Sequence, residues 1–400
     1  MKKINCFGYG ITTKAIARKF GPCTFYDDHV TKPFKDKEGN SLKPISEFDP
    51  RYSTLEIPSP GMPPHHPLIQ KAQHLLSEYD FFAQNMPYSI WITGTNGKTT
   101  TTQMLQHLLK ERGSLAGGNI GVALADLDSN APIWILETSS FTLHYTHQAK
   151  PNIYIILPIT PDHLDWHGGF EAYEADKLKP LAQMQEGEAI ILPRKYADVP
   201  TAGFKILYDD AYDLAKYFGF DVEKISFKGA FLLDGVIAMG IDKILFDNTD
   251  YEKMNHFSMD PHRQEELYDA KKRLWVNDTK ATNIDATLEA LKVYQDRELH
   301  LIVGGDDKGV TLEPLFEAFK DLHVSLYLIG TNQERTSLLA KEFTIKYLTC
   351  KSLEDAIEEI DKVHTQDSVA LLSPAASSLD QFSSYAVRGD IFKEKVKKLS

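Results

Sequence analysis

Short, continuously apolar segments separated by glycine-rich or charged loops recur along most of the chain. Such segments are typical of parallel strands that helices cover on both faces. In the middle of the chain they predict strands at 89–92, 133–136, 153–157 and 189–192. In the last part they predict strands at 274–276, 299–303, 326–329 and 369–372. Two shorter strands are predicted near the start, at 4–7 and 24–26.

Helical spacing of apolar residues alternates with these strands. It predicts helices at 11–20, 285–293 and 353–363, and one that begins after the glycine-rich loop at 94–97. The alternation predicts an α/β fold of mainly parallel sheets with flanking helices. We expect three domains: a Rossmann-like domain at 1–85, a P-loop-type domain at 86–258 and a second Rossmann-like domain at 259–400.

Length and composition agree with several globular domains. The chain has 400 residues, of which 42% are hydrophobic and 25% charged, and its formal net charge is −12. This charge argues against a general nucleic-acid binder, which needs basic patches. The three cysteines are scattered without metal-ligand spacing, which fits the reducing cytoplasm. We expect no secretion signal and no membrane span, because no run approaches roughly 18 apolar residues.

The stretch GTNGKTTT at 94–101 resembles a phosphate-binding loop, although the first glycine of the usual pattern falls on Ile92. It lies between a predicted strand and a predicted helix, so backbone N–H groups and the helix dipole converge on an anion. Lys98 adds a full charge, and the hydroxyl of Thr99 or Thr100 can hold Mg²⁺. A flexible turn of small residues is the alternative that this loop alone leaves open.

Polar side chains follow the next two predicted strands. Glu137 comes directly after 133–136, and His163 follows 153–157 within the stretch PDHLDWHG. Open α/β sheets bind ligands beyond the carboxyl ends of their strands, so the two side chains would complete a magnesium site beside the P-loop. Taken singly, Glu137 could be a surface acid and His163 an ordinary loop histidine.

Three loops of the last part follow strands in the same way: NDTKATN at 277–283, GGDDKG at 304–309 and SPAASS at 373–378. All three are expected to share one edge of the sheet. There Lys280, Lys308 and the hydroxyls of Thr282 and Ser378 would form a pocket for a carboxylate. Three ordinary turns with solvated charges are the alternative.

Taken together, the motifs resemble those of the Mur ligase family. The segments TGTNGKTTT, GNIG, ETSSF, DHLDWHG, PHR, NDTKATN, GGDDKG and LLSPAASSLDQF, with Lys177 four residues after Tyr173, occur in the family's order. The resemblance covers residues 8–389, and the shortened P-loop is the form this family uses. It implies an ATP-dependent amide ligase of the cytoplasm. The late motifs look most like those of the member that adds D-glutamate to UDP-N-acetylmuramoyl-L-alanine in peptidoglycan precursor synthesis.

The implied reaction proceeds through an acyl phosphate. The L-alanine carboxylate attacks the γ-phosphate of ATP, the amine of D-glutamate attacks the carbonyl carbon, and phosphate leaves. A carboxylate is a poor electrophile at neutral pH, so phosphorylation supplies a leaving group, and catalysis is largely positioning and charge stabilisation. The implied partners are these small molecules, without nucleic acid or membrane, and we expect a monomer.

Residue roles follow from the motifs, position by position. ATP would contact Gly94, Thr95, Asn96, Gly97, Lys98, Thr99, Thr100, Arg263 and Asp278. Two Mg²⁺ ions would be held by Thr99, Glu137, His163 and Lys177, and the last three with Lys98 form the catalytic set. Lys177 would be carbamylated, because a bare ammonium repels a cation. The UDP substrate would contact Gly10, Ile11, Thr12, Asp27, Gly61 and Asn119. D-glutamate would contact Lys280, Thr282, Lys308, Ser378 and Tyr385, in a C-terminal domain expected to close over ATP.

Several positions depart from the family pattern. Thr13 stands where glycine is frequent, Pro158 where an asparagine precedes the DH loop, and Tyr385 where phenylalanine is frequent. The His-Asn-x-x-Asn helix that touches ATP in the family is missing from 230–258. We therefore expect a trimmed central domain with rearranged adenosine contacts.

Other functions stay open. Folylpolyglutamate synthase shares the P-loop and also adds glutamate, but it lacks a nucleotide-type domain before the P-loop. The ligase that adds the third amino acid carries an Asp-Asn-Pro-Arg motif, which this sequence lacks. A non-catalytic nucleotide-binding module would need the P-loop but neither Lys177 nor the pocket of the last domain.

Overall fold

The computed structural model describes residues 4–307 and 309–399 and contains three sheets, each mainly parallel. The chain forms two compact units. The N-terminal unit comprises the chain up to Phe227 together with Phe231–Phe257. The C-terminal unit comprises Lys228–Ala230 together with the chain from Ser258 onward. The predicted α/β fold with three sheet domains is confirmed. The domain limits at 85 and 258 stay a prediction.

The first sheet belongs to the N-terminal unit. Its strands are β1 (Asn5–Phe7), β2 (Thr24–Tyr26), β3 (Phe34–Lys35), β4 (Ser41–Lys43) and β5 (Glu56–Pro58). Its helices are α1 (Ile11–Phe20), α2 (Pro67–Lys71) and α3 (Glu78–Phe82). The strand order is β3-β4-β2-β1-β5, and β3 is antiparallel to β4. The predicted helix at 11–20 and strand at 24–26 are confirmed, and α1 buries Ala15 and Ile16 completely.

The second sheet, in the same unit, has six parallel strands. They are β6 (Tyr88–Thr93), β7 (Ser114–Gly118), β8 (Ile133–Glu137), β9 (Ile153–Ile156), β10 (Ala189–Pro193) and β11 (Phe204–Tyr208). Its first helices are α4 (Lys98–Leu109), α5 (Ser140–Tyr145), α6 (Leu164–His167), α7 (Phe170–Leu178) and α8 (Ala211–Phe218). The order β11-β10-β9-β6-β8-β7 places the P-loop strand β6 between β9 and β8. Every residue of β8 and β9 is buried, which explains why these strands read as continuous apolar runs.

Two further helices follow, α9 (Ala230–Phe246) and α10 (Tyr251–Asn255). The His-Asn-x-x-Asn motif is absent from 230–258, as the sequence shows, and α9 is a helix of different, apolar sequence in this region. Residues 234–242 of α9 are all buried. A helix that is apolar on every side shows no amphipathic stripe, so its periodicity is not visible. Gly240 allows close packing, because a Cβ there would lie 2.5 Å from the ring of Phe218.

The third sheet forms the core of the C-terminal unit. Its strands are β12 (Glu265–Tyr268), β13 (Leu274–Asn277), β14 (Glu298–Gly304), β15 (Val324–Ile329), β16 (Lys346–Thr349) and β17 (Ser368–Leu372). Its helices are α11 (Ile284–Tyr294), α12 (Glu313–Phe319), α13 (Gln333–Glu342), α14 (Leu353–Asp361) and α15 (Tyr385–Lys397). The order is β12-β13-β17-β14-β15-β16, with β12 antiparallel. Because β13, β17 and β14 are parallel neighbours, the three polar loops that follow them lie at the same edge of the sheet, as predicted.

Within the described residues, no helix combines the length and the apolar character needed to cross a lipid bilayer.

Candidate active site

The loop between β6 and α4 has the backbone shape of an anion-binding loop. Gly94 (φ 146°) and Gly97 (φ 84°) adopt conformations that L side chains rarely take. A Cβ at Gly94 would lie 2.5 Å from the Leu157 side chain, so glycine is required there. Lys98 begins α4, and its Nζ donates to the main-chain oxygens of Gly94 (3.0 Å) and Thr95 (2.7 Å). The ammonium thus lies at a helix N-terminus, where N–H groups and the dipole favour an anion.

Thr95 connects this loop to the segment after β9. Its N–H donates to the main-chain oxygen of Pro158 at 3.0 Å, and its hydroxyl lies 3.0 Å from that of Tyr173. Pro158 takes part through a carbonyl oxygen, which any residue supplies, so this departure from the family pattern is tolerated. The remaining predicted ATP contacts on this loop and the first turn of α4 are Asn96 and Thr99, both half-buried, and Thr100, which is buried.

Lys177 reaches the P-loop from α7. Only 1% of this residue is exposed, and its Nζ donates to the main-chain oxygen of Gly94 at 2.8 Å. Burial lowers the pKa of Lys177 well below its usual value, and the charge of Lys98 lowers it further, whereas nearby carboxylates raise it. The two lysines share one carbonyl acceptor, and the buried amine is shifted towards its uncharged, nucleophilic form.

Glu137, at the end of β8, is 3% exposed. Its Oε1 accepts from Nδ2 of Asn119 at 2.8 Å, and its Oε2 has no hydrogen-bond partner among the described residues. A buried carboxylate oxygen without a partner fits a ligand of a divalent cation. Gly118 lets the GNIG loop approach, because a Cβ there would lie 2.4 Å from the main-chain oxygen of Glu137. The structure therefore brings Asn119 and Glu137 together at the strand ends.

His163 precedes α6 in a left-handed conformation, with φ 51°. Its ring is exposed and lies 4.7 Å from the ring of Phe141, measured between centroids. Partial burial of the ring lowers the pKa of His163, and the charge of Lys98 lowers it further, although Asp162 raises it. A neutral imidazole is the form that binds a metal ion.

Three of the predicted UDP contacts lie at the start of α1. Gly10 caps α1, Ile11 is exposed and Thr12 is half-buried. The hydroxyl of Thr13 donates to the main-chain oxygen of Gly8 at 2.7 Å and accepts from the N–H of Gly10 at 3.1 Å. Thr13, which stands where the family has glycine, is fully buried, and these two hydrogen bonds hold the loop.

Asp27, at the end of β2, accepts from the N–H of Tyr9 at 2.8 Å. Burial would raise the pKa of Asp27, but the N–H groups of His29 and Tyr9 lower it. Gly61 lies after β5, and its main-chain oxygen accepts from Nε1 of Trp166 at 3.0 Å. One predicted UDP contact is thereby joined to the turn that carries His163.

Asp278 follows β13 in the C-terminal unit and is 6% exposed. It accepts from the Ser373 hydroxyl at 2.7 Å and from the N–H of Gln264 at 3.2 Å. Burial raises the pKa of Asp278 to about 7, although these hydrogen bonds and the charge of Arg263 lower it. Arg263, whose Nε has no partner among the described residues, is thus electrostatically coupled to Asp278.

The three polar loops of this sheet are hydrogen-bonded to one another. The N–H of Ala375 donates to the oxygen of Ala281 at 3.0 Å, and Asp306 and Ser377 exchange two backbone bonds of 3.0 and 2.9 Å. The predicted D-glutamate residues are placed as follows: Lys280 Nζ lies 5.5 Å from the ring centroid of Tyr385 at the start of α15, Thr282 is exposed, and Ser378 is buried. Lys308 lies outside the described residues.

Arg388 on α15 holds two of these loops, although no sequence motif marks it. Its side chain is 1% exposed, with Nε donating to the Thr279 hydroxyl at 2.8 Å. Its Nη2 donates to the main-chain oxygens of Thr279 (3.0 Å) and Ala376 (3.2 Å). Burial lowers the pKa of Arg388 to about 10, and Asp380 raises it.

Other site neighbours were missed because their partners are distant in sequence. Asp234 on α9 accepts from the Thr101 hydroxyl on the P-loop helix at 2.8 Å. Tyr79 places its hydroxyl 3.2 Å from that of Thr138, directly after Glu137. A buried acid within an apolar helix was the available signal for Asp234, whereas nothing local marks Tyr79.

Two family models match the chain. The Mur ligase middle domain matches residues 92–224, and the Mur ligase glutamate ligase domain matches residues 262–375. A relative from Campylobacter jejuni subsp. jejuni serotype O:6, called UDP-N-acetylmuramoylalanine--D-glutamate ligase, is 55% identical over 99% of this chain and 100% of its own length. A Helicobacter pylori (strain HPAG1) protein of the same name is 44% identical over 98% of both chains.

Among solved structures, the chain is similar to the MurF ligase from Thermotoga maritima in complex with ADP. The TM-score is 0.60, with 15% identity over 94% of each chain. At this identity the likeness bears on the fold alone, and it agrees with three mainly parallel sheets.

Proposed function

The chain belongs to the Mur ligase family, among its UDP-N-acetylmuramoylalanine--D-glutamate ligases, and from this premise we propose the reaction it performs. It joins D-glutamate to the L-alanine carboxylate of UDP-N-acetylmuramoyl-L-alanine at the expense of ATP, in the assembly of a peptidoglycan precursor. We further propose that it acts as a monomer in the cytoplasm. The three cysteines, all buried free thiols, agree with a reducing compartment.

The observation that carries the proposal is the pair of lysines on one P-loop carbonyl. Nζ of Lys98 and Nζ of Lys177 donate to the main-chain oxygen of Gly94 at 3.0 and 2.8 Å. A module that only binds nucleotide needs the first lysine. The second lysine is almost fully buried, and a nucleotide-binding module does not need it. Burying an amine beside another cation costs free energy, so its presence favours a role in the reaction.

We propose that Lys177 acts as a carbamate. The uncharged amine adds CO₂ with formation of an N–C bond and release of one proton, and the product is an anion. This change removes the repulsion between Lys177 and Lys98. It also adds a carboxylate-like ligand at the strand ends, close to the P-loop backbone.

Glu137, His163, Thr99 and the carbamate of Lys177 would hold Mg²⁺, which would neutralise charge on the phosphates of ATP. Oε2 of Glu137, which has no hydrogen-bond partner among the described residues, supports its part in this set. Asn119 would orient Glu137 through the bond to Oε1 and face the UDP substrate with its remaining polar atoms. The P-loop residues Gly94–Thr100 would hold the phosphates, with Lys98 at the β- and γ-phosphates.

The chain's residues favour a positional mechanism. The substrate carboxylate attacks the γ-phosphorus, and the bond to the bridging oxygen breaks, releasing ADP. The D-glutamate amine then attacks the acyl carbon, and the carbon–oxygen bond electrons leave with phosphate. Lys98 stabilises the transferring phosphoryl group by charge.

In the C-terminal unit, Lys280, Thr282, Lys308, Ser378 and Tyr385 would bind D-glutamate, with Arg263 and Asp278 as ATP contacts. The ammonium of Lys280 near the Tyr385 ring supplies a cation for a carboxylate. In the first sheet, Gly10, Ile11, Thr12, Asp27 and Gly61 would bind the UDP part. The low pKa of Asp27 keeps it an anion that can accept hydrogen bonds from a ligand.

The test is phosphate release from ATP and Mg²⁺ with UDP-N-acetylmuramoyl-L-alanine, comparing D-glutamate, L-glutamate and no amino acid. We expect release with D-glutamate only, and a product heavier by one glutamyl unit. Release with folate substrates instead would assign a folylpolyglutamate synthase. Absence of release with every substrate, from protein that binds ATP, would favour the binding module.

A further inference from the structure

Two histidines and an aspartate lie together on three helices of the N-terminal unit, outside the residues assigned to the reaction. His144 on α5 and His167 on α6 each place Nδ1 2.9 Å from Oδ2 of Asp176 on α7. One possible ligand atom from each side chain lies within 4.8 Å of the other two. In residues 4–307 and 309–399, this is the one group of three or more His, Cys, Asp or Glu side chains that meets this distance.

The ring of His167 is held from both sides. Its side chain is fully buried, and its Nε2 lies 3.0 Å from the hydroxyl of Ser140. A histidine that binds a metal ion through one ring nitrogen usually has the other engaged in a hydrogen bond. The Ser140 hydroxyl can donate to Nε2 when Nδ1 carries the proton, and accept from Nε2–H when Nδ1 binds a cation. The same partner therefore serves both forms.

The group is also accessible. The side chains of His144 and Asp176 are 33% and 14% exposed, so an ion can reach them from solvent. The aromatic rings of Trp166 and Tyr173 pack against His167, with centroids at 4.5 and 5.2 Å. These rings, together with the stacked ring of Phe141 at 5.7 Å, limit the movement of the buried histidine.

We propose that His144, His167 and Asp176 bind one divalent transition-metal ion of the Zn²⁺ class. Two imidazole nitrogens and one carboxylate oxygen match such ions, whereas Mg²⁺ prefers oxygen ligands alone. Tetrahedral bonds of about 2.0–2.1 Å place ligand atoms roughly 3.3 Å apart. The two contacts to Asp176 are within a few tenths of an ångström of this spacing, and the ligand atoms of the two histidines lie within 4.8 Å of each other, so side-chain rotations must bring the three atoms to it.

One neighbouring charge limits the affinity. Nζ of Lys179 donates to the main-chain oxygen of His144 at 2.6 Å, and this ammonium acts electrostatically on Asp176. A site with one carboxylate and a nearby cation binds more weakly than a structural zinc site built from thiolates. We therefore expect reversible, micromolar binding.

Occupancy would connect two elements of the proposed reaction. Asp176 directly precedes Lys177 on α7, and His167 ends the helix that begins after His163. An ion bound by both would fix α7 against that helix. Binding itself does not depend on the proposed reaction and is measured without substrate, so failure of one leaves the other standing.

The test is a titration of the full chain with Co²⁺, whose tetrahedral or five-coordinate complexes absorb visible light, in excess Mg²⁺. We expect one equivalent for the wild type and for His147→Ala, which replaces an exposed histidine nearby, and none at this site for His144→Ala. Ser140→Ala should weaken binding by about 10–100-fold. A background of Glu137→Gln weakens the proposed magnesium site, so a signal that persists there comes from the histidine–aspartate group.

Calorimetry with Zn²⁺ and the melting temperature provide second readouts. Zn²⁺ should raise the melting temperature of the wild type and of His147→Ala by a few degrees, and leave His144→Ala unchanged. Should His144→Ala fail to fold, Asp176→Asn keeps the shape and a hydrogen-bond acceptor while removing the charge. Equal binding by wild type, His144→Ala and Asp176→Asn, or no binding by the wild type at 100-micromolar ion (on the order of 100 times the expected constant), would overturn the proposal.

Discussion

A basic side chain is buried beside the strand-end loops of the central sheet and another beside those of the C-terminal sheet, and the two are held in different ways. In the central sheet, the Lys177 amine donates to the Gly94 oxygen at 2.8 Å and lies near Lys98. In the C-terminal sheet, Arg388 spreads three hydrogen bonds of 2.8 to 3.2 Å over Thr279 and Ala376. The Lys177 amine makes few hydrogen bonds and lies beside the like charge of Lys98, whereas the Arg388 guanidinium links two loops.

The pKa values express the same difference. Burial lowers the pKa of Lys177 well below its usual value, so the amine can lose its proton and react. Burial lowers the pKa of Arg388 only to about 10, so the guanidinium stays charged at neutral pH. An uncharged amine can be chemically modified, whereas a guanidinium stays charged and holds a fixed hydrogen-bonding geometry. We therefore assign chemistry to the first and support of the loops to the second.

The largest expected effect comes from removing the reactive amine. Lys177→Ala should lower turnover by about 10³-fold or more, because a charge-stabilising ligand is lost, while ATP affinity changes little. Lys177→Arg should be as inactive, because a guanidinium keeps the charge and cannot form a carbamate. Steady-state phosphate release and nucleotide titration measure both. Near-normal turnover of Lys177→Arg would contradict the carbamate.

The next effect concerns the fixed guanidinium. Arg388→Lys should lower the free energy of unfolding of the C-terminal unit by about 2–4 kcal/mol, because the carbonyl oxygens of Thr279 and Ala376 lose their donors. Hydrogen exchange of β13 and β17, together with urea unfolding, measures this loss. Arg335→Lys is the control, because Arg335 is 39% exposed and its ion pair with Asp307 contributes little. Equal free energies of unfolding for Arg388→Lys and Arg335→Lys would contradict the supporting role of Arg388.

A buried acid in the C-terminal sheet should give a pH-dependent effect. Burial raises the pKa of Asp278 in the folded state to about 7, well above its ordinary value, so the folded state holds a proton that the unfolded state releases. The free energy of unfolding should therefore fall as the pH rises through this window. Between pH 5 and pH 8, the wild type should lose about 2 kcal/mol more than Asp278→Asn.

Chemical denaturation at the two pH values measures this difference. Asp367→Asn replaces an exposed carboxylate of the same unit and should follow the wild type. Parallel pH profiles for the wild type and Asp278→Asn would show that Asp278 stays ionised when buried.

The smallest effect tests how α9 supports the P-loop helix. The Thr101 hydroxyl donates to Asp234 at 2.8 Å, whereas the buried Thr102 hydroxyl has no partner among the described residues. Thr101→Val should destabilise the N-terminal unit by about 1–2 kcal/mol, and Thr102→Val should be neutral or slightly stabilising. Thermal unfolding of the pair measures the contrast. A larger loss for Thr102→Val would contradict the role of Asp234.

The sequence by itself determined the elements whose signals are local. Continuous apolar runs located β8 and β9, because strands covered on both faces contain few polar residues. The glycine loop before Lys98 located the turn between β6 and α4, because its backbone conformation needs glycine at Gly94 and Gly97. The three loops of the C-terminal sheet were predicted to share an edge, since parallel strands end on the same side, and they do.

The tertiary structure alone decided the features that depend on distant partners. Residues 234–242 of helix α9 are all buried, so this part of its sequence carries no amphipathic pattern, and its close packing against Phe218 at Gly240 is visible only in the structure. Arg388 meets Thr279 across 109 residues, and His144 meets Asp176 across 32. Local periodicity reports which face of an element is buried. It does not report which side chain of another element lies opposite, and that pairing, set by the packing of sheets and helices, produces the buried cations and the histidine–aspartate group.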